Sequence, residues 1–228
     1  KNPGLTETHV NMGVVHEKMG QKKKAIAAYQ KALELDGTNA MAHYNLGVIY
    51  AKEKAFTKAV DQWETAMKFD GKDANILNSL GWAYEKLGKR KKALAKLNRS
   101  IKLSPFDSKT HFSSGRIKYD LGNIEGAIES FKKAVQLDPS FGDAYYRLGL
   151  AYDSQNQGYD TLSNLLITEL VYHKAKKMDL FKKTQSRLVP LFDKYQSTRG
   201  DFKDLEVPET LKGYDLHKRN RIRTSKEK

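Results

Sequence analysis

Small and apolar positions return along this chain at a fixed step of 34 residues. Glycines stand at Gly13, Gly47, Gly81, Gly115 and Gly149. A second column runs Ala25, Ala59, Ala93, Ala127, a third Tyr29, Trp63, Leu97, Phe131, and a fourth Ala32, Ala66, Ser100, Ala134. Turn residues keep the same beat: Asp36-Gly37, Asp70-Gly71, Ser104-Pro105 and Asp138-Pro139. Several columns with one period define a repeat. Each repeat predicts two helices of about a dozen residues, too short to be stable alone in water. Gly in the first helix, A, lets the second, B, approach closely. The Ala column opens the matching space, and the large third column fills the seam to the next repeat. Stacking then buries a continuous core in which only neighbours touch.

These columns resemble the tetratricopeptide repeat (TPR), whose signature is W-x2-L-G-x2-Y followed by Ala, a large aromatic, Ala and Pro. The first helices read Leu46-Gly47-x2-Tyr50, Leu80-Gly81-x2-Tyr84 and Leu148-Gly149-x2-Tyr152, while repeats one and four depart with His16 and Lys118 at the Tyr position. The leading Trp is replaced by His9, His43, Leu77, His111 and Tyr145. The resemblance implies an all-α fold, a right-handed α-α superhelix or TPR solenoid of about five repeats with a C-terminal capping helix and a basic tail. We place the solenoid at 1–177, with repeats at 6–39, 40–73, 74–107, 108–141 and 142–177, the cap at 178–196 and a basic irregular tail at 197–228.

The fifth repeat fades. Its small-residue columns continue either as Thr161, Leu165 and Thr168 or, with a two-residue insertion, as Ser163, Ile167 and Leu170. Tyr159 to about Lys177 reads as one amphipathic helix and Leu180 to about Tyr195 as another, in which Pro190 is expected to kink the helix or begin a new turn. From Ser197 onward periodicity is lost. Phe202, Leu205, Val207, Leu211, Tyr214 and Leu216 are scattered among charges. They are spaced for an extended segment that lies on its own solenoid or on a neighbour's.

The 228 residues carry 41 Lys+Arg against 27 Asp+Glu, a net charge of +14, and no Cys. Zero Cys excludes disulfide scaffolds, Fe–S clusters and thiolate zinc sites. No apolar run approaches a membrane span. The chain therefore reads as soluble, whether cytoplasmic or exported with its signal removed. The charge is uneven: residues 174–228 hold 16 Lys+Arg against eight Asp+Glu.

Catalytic chemistry is not indicated. There is no phosphate loop, no GxGxxG after a strand, no HExxH and no G-x-S-x-G. His9, His43 and His111 share one repeat position, which separates them by about one helix-packing distance, on the order of 10 Å. Metal ligation needs far closer convergence, so we expect no metal, no cofactor and no enzyme.

In the resembled family, helix A lines a concave face. Mapped onto this sequence, that face holds Val10, Asn11, Val14, Tyr44, Asn45, Val48, Asn78, Trp82, Phe112, Arg116, Tyr119, Tyr146 and Arg147. Apolar and Arg residues on an exposed face mark a binding groove. Asn11 and Asn45 begin an asparagine ladder that stops at Ser79. No frame completes the Lys/Asn clamp with which TPR co-chaperones hold a heat-shock carboxylate tail. The expected partner is a protein segment with apolar anchors and some acidic character. A second feature is a basic edge, Lys22, Lys23, Lys24, Lys89, Arg90, Lys91 and Lys92, at the A–B turns of repeats one and three. It suits nucleic acid or another anionic surface as a less favoured partner. Self-assembly through the tail is a third alternative. Arg199-Gly200-Asp201 matches the integrin tripeptide, a pattern short enough to recur by chance.

Overall fold

The computed structural model describes residues 3–212. Among them are eleven α-helices, two short 3-10 turns and no strand. The helices are α1 Pro3–Lys18, α2 Lys22–Leu35, α3 Ala40–Lys52, α4 Phe56–Phe69, α5 Ala74–Lys86, α6 Arg90–Leu103, α7 Ser108–Asp120, α8 Ile124–Leu137, α9 Gly142–Ser154, α10 Gly158–Lys174 and α11 Met178–Lys194. They form two units, residues 1–105 with α1–α6 and residues 106–228 with α7–α11. Within each unit, helices pack in successive antiparallel pairs, each touching the next.

Local chemistry sets the helix ends. Asn39, Asp73 and Asp107 cap α3, α5 and α7 through side-chain oxygens that accept backbone N–H groups. The turn from helix A to helix B uses a left-handed residue at the same repeat position throughout: Gly20, Lys54, Gly88, Gly122 and Asn156. At the B–A turns, Asp36 and Asp138 accept from the backbone and hydroxyl of Thr38 and Ser140.

The Gly column faces the large third column of its own repeat. A Cβ at Gly13, Gly47, Gly81, Gly115 or Gly149 would meet Tyr29, Trp63, Leu97, Phe131 or Leu165 within 2.9 Å. The space beside each glycine is thus filled by the bulky residue sixteen positions on, rather than left to the Ala column. Tyr29 also reaches the next pair, clustering with Ala42, Leu46 and Ile49. The Gly149–Leu165 contact resolves the fifth repeat. It keeps the 34-residue register without insertion, and Thr161, Leu165 and Thr168 are fully buried.

The chain after α10 departs from the repeat. α10 has 17 residues against 14 in α8. α11 runs unbroken through Pro190, which lies on the exposed face with Ser186, the residue whose carbonyl its missing N–H leaves to water. Residues 197–212 do not trail away. Phe202 is buried with Leu162, Leu166, Leu188 and Phe192, and Leu211 is buried with Tyr145, Ile167, Leu170 and Val171. Leu205 and Val207 pack beside them. The remaining expected tail, 213–228 with Tyr214 and Leu216, lies outside the described residues.

Candidate functional site

In the first unit, the residues expected on the concave face divide by burial. Val10 is 6% exposed and belongs to the core with Tyr29 and Leu46, because α1 turns it towards α2 and α3; it offers no binding surface. Val14, Tyr44, Asn45, Val48 and Asn78 are half-buried, and Asn11 is exposed. Trp82 is 40% exposed and stands edge-on to Phe56 at 5.3 Å. The Tyr44 carbonyl is occupied, accepting from Trp63 Nε1 at 3.0 Å. Asn45 Nδ2 is buried and has no partner among the described residues.

In the second unit the expected residues converge on a cavity. Phe112, Arg116, Tyr146 and Arg147 line a pocket of about 230 Å³ with Asp143, Tyr172, Leu180, Lys183 and Thr184. Successive A helices α7 and α9 supply the first four and Asp143. The end of α10 supplies Tyr172, and α11 supplies the rest. A second pocket of about 520 Å³ adjoins it, sharing Tyr146 and Lys183 and adding Ser186, Arg187, Pro190, Leu191 and Lys194. Tyr146 therefore stands between two halves of one trough. Tyr119 does not reach it and packs instead with Phe131 and Tyr152. The tail segment 197–212 lines neither half.

The electrostatics of the trough are one-sided. Its cations are Arg116, Arg147, Lys183, Arg187 and Lys194, and its one lining carboxylate is Asp143. Asp143 is already engaged, accepting from Tyr172 Oη at 2.5 Å. Burial, and then this carboxylate, push the Tyr172 phenol well above its ordinary value, so it stays a donor. Arg116 lies over the Phe112 ring at 5.9 Å. Lys194 and Arg187 reach Asp153 at 2.7 and 3.7 Å, and Tyr195 Oη donates to the same carboxylate at 2.8 Å. Burial pushes the Asp153 carboxyl up, but these hydrogen bonds and charges outweigh it and hold the group below its ordinary value. Arg147 and Lys183 have no partner among the described residues.

Sequence reasoning missed Tyr172, Leu180, Lys183 and Thr184. For the last three the signal was the helical spacing of residues 180–195, which marks a helix with one face to lay on α10.

The basic-edge residues all sit at A–B turns or in first turns of B helices, and all are exposed. Lys22 pairs with Glu53 of the next turn, and Lys92 lies over the Tyr84 ring at 5.8 Å. The Arg199-Gly200-Asp201 tripeptide is used internally. Arg199 pairs with buried Glu169 at 2.6 Å, and Asp201 caps the backbone of Thr198. Among the described residues, no three His, Asp or Glu side chains converge as metal ligands, and no helix is long and apolar enough to cross a membrane.

The helix pairs, their small-residue seams and their fixed turn geometry define an α-helical repeat protein. A TPR repeat family model matches residues 18–54 and 115–156, and a tetratricopeptide repeat model matches 74–107. The chain is a tetratricopeptide repeat protein. It is similar in structure to MamA, at 24% identity and TM-score 0.70 over 73% of this chain and 97% of that one. It is also similar to YrrB, a TPR protein with an unusual peptide-binding site, at 27% identity and TM-score 0.66 over 74% and 90%. PilF of Pseudomonas aeruginosa follows at 18% identity and TM-score 0.63 over 87% and 98%. No curated protein matches the chain.

Proposed function

We propose that the protein is a non-enzymatic scaffold that holds an acidic, apolar-anchored segment of a partner protein in the trough around Tyr146. The observation that carries this is the imbalance of its lining. Five cations surround an aromatic floor of Phe112 and Tyr146. The single lining carboxylate is spent on Tyr172, Arg187 and Lys194 face Asp153, and Arg147 and Lys183 are left without a partner among the described residues. A partner carboxylate placed there gains charge-assisted hydrogen bonds, and an adjacent Leu or Phe covers the rings. An extended or helical segment suits the space better than a compact ligand. In the first unit, the exposed Trp82, edge-on to Phe56, gives a separate apolar anchor. Likeness to a TPR protein with a peptide-binding site is consistent with this reading.

Selection of a displayed random-peptide library on the purified protein tests it. Enrichment of Asp or Glu next to a bulky apolar residue is expected. Tyr146→Ala and Arg147→Glu should abolish it, with helix content unchanged by circular dichroism. A library that shows no acidic enrichment, or a consensus that both variants retain, overturns the proposal.

A further inference from the structure

We infer that the A–B turn edge of the first unit docks on an anionic lipid bilayer. In residues 1–105, the three equivalent turn windows 17–24, 51–58 and 85–92 hold twelve Lys+Arg and three Glu. The rest of that stretch is balanced, with seven of each sign. The whole charge excess of the unit therefore sits on one edge. Adjacent turns touch there: Lys22 pairs with Glu53, and Lys52 with Glu17 at 2.5 Å. Two of the three glutamates are thus spent, and Glu85 is also engaged. Lys18, Lys23, Lys24, Lys54, Lys86, Lys89 and Lys91 are exposed and have no partner among the described residues. The windows at the same repeat positions in the second unit, 119–126 and 153–160, hold four Asp or Glu and no Lys or Arg. The charge is a property of three repeats and not of the repeat pattern.

It is also held against local stability. Lys22–Lys24 and Arg90–Lys92 place cations in the first turns of α2 and α6, where the helix dipole disfavours them. Lys54 occupies the left-handed turn position at φ +61°, where repeats one, three and four use Gly. The composition of the edge selects the partner. All seven unpartnered cations are Lys, point charges without the planar fork that reads bases or grips single phosphates. Within the three windows no aromatic is exposed to stack a base: Phe56 is half-buried, and the exposed Trp82 beside it is taken up in an edge-on contact with its ring. Its exposed apolar side chain is Met19, 62% accessible and set between Lys18 and Gly20. A row of lysines around one aliphatic tip matches a headgroup layer with hydrocarbon beneath it.

Sedimentation with phosphatidylserine–phosphatidylcholine vesicles tests this, against pure phosphatidylcholine vesicles and duplex RNA. Binding to the anionic vesicles alone is expected, falling as salt is raised. Each neutralised lysine should weaken it roughly five-fold, so Lys24→Gln, Lys54→Gln and Lys91→Gln together should cost about a hundred-fold. The matched control, Lys68→Gln, Lys72→Gln and Lys102→Gln, removes the same charge elsewhere in the unit and should change binding several-fold at most. Equal loss in both triples, equal binding to neutral vesicles, tighter binding to RNA, or absence of vesicle binding at low salt each overturns the inference. None of these variants touches the trough around Tyr146, so peptide selection by the triple variant reports on that site independently.

Discussion

Gly47 lies against the indole of Trp63: a Cβ at Gly47 would stand 2.4 Å from Trp63 Nε1, the atom that donates to the Tyr44 carbonyl. Trp63 is 2% exposed and has nowhere to retreat. Gly47→Ala should therefore destabilise the first unit by about 1–3 kcal/mol, despite the better helix propensity of Ala. Gly20→Ala meets no atom within 4 Å and carries only the strain of φ +71°, about 1 kcal/mol. Urea unfolding of both variants checks the ranking. A Gly47→Ala protein as stable as wild type would mean that the helix seam is looser than it stands.

Lys54 is the converse case. Its φ of +61° is unfavourable for a side-chain-bearing residue, and the equivalent Gly20, Gly88 and Gly122 avoid that cost. Lys54→Gly should raise the denaturation midpoint, with a gain of about 1 kcal/mol. The same change should weaken anionic-vesicle binding. Stability and surface charge would then move in opposite directions at one residue, which a purely structural role for Lys54 does not produce.

Asp153 ties α11 to α9 and gives the second unit an acid-sensitive joint. Its folded value lies below its ordinary one, so its contribution is fully present above the unfolded carboxylate value of about 4. That contribution is lost as pH falls further, through the folded value. Asp153→Asn should cost about 1–2 kcal/mol at neutral pH. It should also flatten the decline of thermal stability on the acid side. If wild type and Asp153→Asn lose stability in parallel below pH 4, the joint is not what senses acid.

The repeats were legible because each column has a steric reason. Gly13 must be small since Tyr29 fills its place, and Ala25 must be small since it is fully enclosed, so the period shows in the residues themselves. The trough was half legible. Phe112, Arg116, Tyr146 and Arg147 sit at periodic positions and were found by counting. Tyr172 lies in the last turn of an α10 longer than α8, and Lys183 on a helix with no counterpart column. Position counting fails where the repeat ends, and helix spacing alone does not say which neighbour a terminal helix will cover. Val10 erred for a related reason: its expected outward position in the first repeat is turned inward, into the core formed with α2 and α3.

The segment after α11 is the least repeat-like part of the described chain and one of its more firmly seated. Phe202 is 2% exposed, stacked on Tyr159 at 5.2 Å and edge-on to Phe192 at 6.3 Å. Nine residues on, Leu211 closes the cluster of Tyr145, Ile167 and Val171. Between these anchors and α10, Arg199 neutralises Glu169, a carboxylate 4% exposed that also accepts from Gln185. The segment thus covers apolar surface of α9 and α10 and compensates a buried charge. Phe202→Ala should destabilise the second unit by about 3–5 kcal/mol. Arg199→Ala should cost nearly as much, about 3 kcal/mol, because it strands Glu169 without a cation. Adding Glu169→Gln to Arg199→Ala should recover part of that loss, since a neutral amide no longer needs the counter-charge. Thermal unfolding of the three variants decides it. If the double variant is no more stable than Arg199→Ala alone, the pair is incidental and the apolar anchors alone hold the segment down.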